Sequence, residues 1–332
     1  MELRIEKYQD AMAQVWDRFV LQESMNGTFL QTRRFIEYHP AGKFKDSSLI
    51  VYKGNAVVAV ILACDINEKS KKTFFSHKGT TFGGILLSPG FYSASNVDLL
   101  MTELDRYWSG ENYDEIVLKM TAPVFCRKNT DLIDYFLYQR GFEQYDELNY
   151  YMKLDRYQDG ILEQFSSSKR RDYRYSLKND LTFSRLDSPE GIRQFYDVLC
   201  LNLNKLKLPR VHQYEELLDL KFNRFPENIE FYGVYKEEIM IAGSMIFLFR
   251  GGVMHTQYLA SDEKYLSYFP MDFLIYHLLE TALEKQMKYF TFGICTEDHG
   301  KYLNLGLSRF KEGFGTEFCI DRTYYREINR ER

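Results

Sequence analysis

Two stretches of this chain have the residue types and spacing to do chemistry, and both are basic. The first is SSSKRRDYRYSLKND, residues 166–180. Ser166 to Ser168 are favourable helix N-caps. A helix behind them carries Arg170, Arg174 and Lys178 at i, i+4 and i+8, with Lys169 and Arg171 on neighbouring faces. A cationic stripe beside a helix N-terminus suits a phosphate, and arginine grips phosphate through two N–H groups at once. The competing reading is a solvated face, because Asp172 and Asp180 partly neutralise the stripe. The second stretch is LSRFKEGFG, residues 307–315, where Lys311 stands between Phe310 and a Gly313-Phe314-Gly315 turn. The turn fixes the lysine's backbone and Phe310 shields its ammonium. The competing reading is a surface lysine.

Two further segments carry reactive types. SHKGTTFGGILL (76–87) combines His77 with Gly79, Gly83 and Gly84. Histidine is the usual general base for an amine nucleophile, and glycines in a strand mark close approach of a ligand or another backbone. A structural histidine in a bulged strand explains the same residues. ICTEDHGKY (294–302) brings Glu297, Asp298 and His299 together, but their adjacency suits an exposed loop, and no metal site is predicted.

The elements that must position these residues come from a duplication. VYKGNAVVAVILAC (51–64) resembles VYKEEIMIAGSMIF (234–247), each a hairpin turning at Gly54-Asn55 or Glu237-Glu238. Each is followed by a strand, then by an amphipathic helix (VDLLMTELDRYW; MDFLIYHLLETALEK), a strand, a helix, and a Gly-Phe turn into a last strand. The spacing predicts an α/β (α+β) fold of two units, 1–154 and 155–332, each a mixed sheet flanked by helices. With 332 residues the chain is long enough for two domains of about 150 each. No low-complexity linker parts the halves, so a ligand cleft is expected between them.

Bulk composition bounds the function. The chain is 45% hydrophobic and 27% charged with net charge -4, so no global field draws it to DNA or an anionic membrane. Aromatics reach 16%, which suits either a groove for a large ligand or partly exposed core rims. Five cysteines are scattered singly at 64, 126, 200, 295 and 319, arguing against a disulfide framework or zinc site. No signal-peptide pattern and no apolar run of about 20 residues is present. A cytoplasmic protein without a transmembrane segment is expected.

The element order, with RGF (140–142) and EGF (312–314) closing the halves, resembles the GNAT acyltransferase fold. Two GNAT units in tandem resemble the Fem family of peptidoglycan-branching transferases and its polysaccharide-cluster relatives. Four stretches carry the likeness: TFLQTRRFIEYH (28–39), SSSKRRDYRYSLKNDL (166–181), the strand–Pro–helix–strand of 258–293, and LNLGLSRFKEGFG (303–315). The resemblance implies transfer of an aminoacyl group from aminoacyl-tRNA to an amine of a nucleotide- or lipid-linked muropeptide. It implies that Lys311 stabilises the oxyanion, flanked by Phe310, and that Arg171 and Arg174 take the family's basic positions. It also implies that Gln31, Arg33 and Arg34 contact the acceptor, and that His255, Tyr258 and Asp262 lie on or just after the strand lining the site. Where some members carry a lysine for the acceptor phosphate this chain has Glu37, and a different glycan or glycolipid is the expected acceptor.

The pyrophosphate loop of acyl-CoA-dependent GNAT enzymes has no counterpart in KYLSYFPMD (264–272), which lacks glycine. That favours an aminoacyl-tRNA, or acyl-CoA in an unconventional pose, as the acyl co-substrate, with no tightly bound cofactor. The expected function is N-acyl transfer to an amino group of a phosphate-bearing glycan or peptidoglycan precursor, the tRNA acceptor end being a possible ligand of the basic helix. The alternative is a catalytically inactive tandem-GNAT scaffold.

Overall fold

Glycine-led turns and alternating apolar residues form most of the strands where the pattern places them. The computed structural model describes residues 2–68 and 70–328. The chain clusters into two compact units, Met1–Glu147 together with the chain from Ile320 onward, and Leu148–Cys319.

In the first unit the strands are β1 (Leu3–Lys7), β2 (Leu49–Lys53), β3 (Ala56–Ile61), β4 (Cys64–Glu68), β5 (Lys71–Ser76) and β6 (Ile85–Leu87). Helix α1 (Ala94–Gly110), strand β7 (Glu115–Lys119), helix α2 (Asp131–Gln139) and strand β8 (Glu143–Lys153) follow. Strands β2 and β3 turn at Gly54-Asn55, Gly54 taking φ +63°, a conformation that favours glycine. The order β1-β2-β3-β6 makes one sheet. In the other, β5 pairs antiparallel with β4 and parallel with β7. The stretch 73–88, expected as one strand, is therefore broken between β5 and β6.

Strand β8 continues into the second unit, followed by α3 (Ser167–Ser176), β9 (Leu181–Arg185), α4 (Pro189–Leu206) and α5 (Tyr214–Leu218). Then come β10 (Ile229–Lys236), β11 (Ile239–Phe249), β12 (Val253–Ser261), α6 (Pro270–Glu284), β13 (Tyr289–Ile294), α7 (Leu305–Glu312) and β14 (Glu317–Glu327). The strand order is β9-β10-β11-β12-β13-β8, antiparallel except for β12 and β13, which α6 connects in parallel. Strand β11 is buried along almost its whole length, the mark of a strand covered on both faces. Helices α4 and α6 both pack on it. Helix α6 buries Leu274, Ile275, Leu278 and Leu279, each worth about 1.5–3 kcal/mol.

The last strand explains why the units do not divide at one point near residue 154. From Thr323 to Glu327, β14 pairs antiparallel with β7 of the first unit. Arg326 bonds Asp105 at 2.5 Å and the carbonyl of Arg140 at 2.8 Å. The sheet of the first unit is completed by the end of the chain. Among the described residues no helix is long and apolar enough to cross a membrane.

Candidate active site

Strands β12 and β13 begin as a paired parallel ladder and then part. Val253, Met254 and His255 face Tyr289, Phe290 and Thr291, and no register pair follows, although β12 runs on to Ser261 and β13 to Ile294. Each strand carries an extra residue near the opening. On β12 it is Gln257, between partners of Ile246 and Met245; on β13 it is Phe292, between partners of Tyr151 and Tyr150. A bulge bends its strand and adds twist, so two bulges on facing strands open a wedge.

Lys311 enters this wedge from α7. Its Nζ donates to the carbonyl oxygens of Phe292, Gly293 and Ile294 at 3.1, 3.0 and 2.8 Å, and the residue is only 4% exposed. The hydroxyl of Thr256 donates to the carbonyl of Thr291 at 3.3 Å. Where the β12–β13 ladder stops, carbonyls of β13 are met instead by an ammonium and a hydroxyl, as buried acceptors require. The competing reading of a surface lysine is excluded, since the residue is buried.

The turn after Lys311 fixes the end of α7. Phe314 is fully buried against Phe165, Phe292 and Phe310, with ring centres 5.0, 5.8 and 5.1 Å away. Gly315 takes φ +86°. A Cβ there would meet the Gln164 carbonyl oxygen at 2.6 Å. Phe310 packs in this aromatic group rather than over the ammonium of Lys311, and the cation above its ring, at 4.5 Å, is Lys169.

Beside the expected His255, Tyr258 and Asp262 stand groups that no local motif announces, Cys295, Tyr150 and Ser308 among them. The Cys295 thiol is pushed up by burial, against the lowering effect of the Lys311 charge. Tyr150 bonds Ser308 at 2.7 Å, and Ser308 donates to Glu312 at 2.7 Å. The His255 imidazole is held down to about 3, first by burial and then by the Lys311 charge. Tyr258 lies on β12 beyond the parting point and its hydroxyl meets His212 Nδ1 at 2.6 Å; burial raises the phenol strongly. Asp262 caps the following turn by accepting from the Lys264 N–H at 3.0 Å.

Helix α3 forms as expected, with Ser166 accepting from the Lys169 N–H at 3.3 Å. One of its cations, Lys169, is not presented with the others. Lys169 is withdrawn into an ion pair with Asp272 at 2.8 Å, and its stem passes over Gly313, where a Cβ would meet it at 2.8 Å. Arg171 and Arg174 are exposed, Arg170 is half-buried, and Lys178 falls in the turn after the helix. Arg171 bonds Asp172 at 3.0 Å.

Asp272 sits in the first turn of α6, where the helix N-terminus favours an anion. Its carboxyl is raised by burial, against the lowering effect of Lys169.

In the first unit, the strand before α1 (β6) and the strand after it (β7) lie in different sheets, and β7 pairs instead with β5 of the β4–β5 hairpin, which precedes β6 in sequence. The Gly83 N–H donates to the carbonyl of Lys119 at 2.9 Å. Gln31 is fully buried, donating to Gly83 and Thr121 at 2.8 Å and accepting from the Thr28 N–H at 2.7 Å. Those bonds fasten its own unit. His77 is buried, accepts from the Gly79 N–H at 2.8 Å, and is held down to about 3 by burial and the Arg33 charge. An imidazole so depressed takes up a proton poorly at neutral pH. Arg34 is exposed, its backbone N–H donating to Asp17 at 3.3 Å. Among the described residues no group of acidic, histidine or cysteine side chains is arranged to hold a metal ion.

Residues 165–311 match the family described as acetyltransferase (GNAT) domain. No curated protein sequence matches the chain. Among solved structures it is similar to FemX, at TM-score 0.72 and 15% identity over 98% of both chains. It is also similar to L-PGS from Bacillus licheniformis, at TM-score 0.61 and 14% identity over 98% of this chain and 94% of the other. A tandem GNAT protein from the clavulanic acid biosynthesis pathway aligns over the full length of both chains at TM-score 0.55 and 10% identity. At such identities the likeness is one of fold.

Proposed function

We propose that this chain, a GNAT-superfamily acyltransferase with the Fem-like tandem fold, transfers an aminoacyl or acetyl group to an amino group of a phosphate-bearing cell-envelope glycan or peptidoglycan precursor. One observation carries the reading: a GNAT unit whose parallel strands part around a buried ammonium. The acceptor amine attacks the acyl carbonyl carbon, whose C=O electron pair moves onto oxygen. The tetrahedral oxygen takes the place of one carbonyl at Lys311 Nζ. Collapse expels the ribose hydroxyl or thiolate, which leaves with the proton lost by the amine. A preorganised donor at such an oxygen is worth about 2.7–4 kcal/mol.

Asp272 favours an aminoacyl-tRNA donor. Its carboxylate occupies the helix N-terminus at which a CoA pyrophosphate would seek N–H groups, and like charges repel there. Arg170, Arg171 and Arg174 remain for a phosphate of acceptor or donor. A second reading, a non-catalytic binding module, is favoured by the three carbonyls that already hold Lys311.

One assay separates the two. The protein is given labelled aminoacyl-tRNA or acetyl-CoA with a set of phosphate-bearing amine acceptors that includes amino-glycan phosphates beside a nucleotide-linked muropeptide. Transfer from the tRNA ester is expected, with K311M slower by at least about a hundredfold at a temperature where it is folded. No transfer from either donor would leave only the binding module.

A further inference from the structure

Away from the wedge, the end of α4 and the loop into α5 read LNLNKLKLPRVHQ, residues 201–213. Every residue from Asn204 to Val211 is exposed. Leu201, Leu206, Leu208 and Val211 are each more than half exposed. Between Asp197 and Glu215 the chain carries Lys205, Lys207 and Arg210 and no acidic residue, in a protein of net charge -4. Lys205 reaches Glu263 at 3.1 Å, which brings the neighbouring turn with exposed Leu266 and Lys264 alongside.

Clustered exposed leucines mark an interaction surface, and the company they keep indicates which kind. Protein interfaces are depleted of lysine, and leucine is under-represented among their hot spots. Leucine alternating with lysine and arginine fits an anionic bilayer, where apolar side chains enter the acyl boundary and cations reach lipid phosphates. The segment is also tied to the candidate site. Its end, His212, is buried and bonds Tyr258 on the open part of β12 at 2.6 Å.

We infer that residues 201–211 form a membrane-contacting surface that seats the protein peripherally on an anionic bilayer, so that a lipid-borne acceptor meets the open end of β12. The identity of the acceptor as lipid-borne rests on the function proposed above; the surface itself does not.

The full chain is sedimented with vesicles of phosphatidylcholine, with or without phosphatidylglycerol. Binding is expected only to the anionic vesicles, and it weakens as salt rises. Each cation contributes roughly fivefold, so K207E/R210E binds at least about 25-fold more weakly, while L208S/V211S is released even at low salt. No vesicle binding by the parent chain, or L208S/V211S binding like the parent, overturns the proposal. So does a dimer that L208S/V211S dissolves without change in vesicle binding, since the surface then serves a second copy. Transfer to a water-soluble amine is read in parallel. Its absence removes the acyl-transfer reading and leaves the vesicle result standing, and its survival in variants that no longer bind vesicles supports the surface.

Discussion

At the scale of single residues, the physical question is how the fold keeps buried ionisable groups. Three carbonyl oxygens stand around the Lys311 Nζ in place of a water shell. Removing it leaves those acceptors bare, and each unsatisfied buried group costs about 1–3 kcal/mol. His77 and His255 are held neutral down to about 3. Both take up protons in the unfolded chain near the ordinary value of 6.5 but not in the folded one. From pH 6.5 down towards 3 the unfolded state therefore binds more protons, and stability falls as pH falls, by up to about 1.4 kcal/mol per pH unit for each group. Urea unfolding between pH 7 and 4.5 should show this slope, and H77N or H255N should each flatten it by one group's share. Identical slopes in parent and variants would remove both histidines from the account. The cation and the Gly-Phe-Gly turn were legible in the sequence. The partners of the cation were not, because β13 supplies them from about eighteen residues away, through a bulge that no pattern announces.

At the scale of elements, α3 and α6 are joined by one buried ion pair. Lys169 and Asp272 are 13% and 8% exposed in their side chains and 2.8 Å apart. Removing one partner of such a pair strands the other, at a cost of about 3–5 kcal/mol, while replacing both by apolar groups is much milder. K169M and D272L should each lower the melting temperature more than the double variant does. Additive losses in thermal unfolding would show that the two charges do not depend on one another. The helix itself was predictable from its serines and its run of cations. That Lys169 turns inward, to Asp272 and the rings of Phe310 and Phe314, was not, since helical spacing places a side chain on a face without naming what lies opposite.

At the scale of the whole molecule, the end of the chain belongs with its beginning. Residues from Ile320 onward complete the sheet of the first unit, with Met120 N–H donating to the Arg322 carbonyl at 3.0 Å and Arg326 held on Asp105. A chain truncated after Cys319 should lose amide-exchange protection in β7 and keep it in β11. Uniform loss across both strands would mean that the units do not unfold separately. The duplicated pattern, read linearly, puts a boundary near residue 154, but a strand joins the sheet that offers free N–H and C=O groups, whichever half of the sequence it follows.

The sequence by itself determined the duplicated order of elements, the hairpin turns, the capped basic helix and the lysine at the closing turn. These depend on residues within a few positions of one another, through periodicity, capping and backbone preference. Tertiary structure alone decided that β12 and β13 part around Lys311, that Asp272 fills the start of α6, and that β14 returns to the first unit. Each of these depends on which unsatisfied group meets which partner across the fold, and a linear pattern carries no such distance.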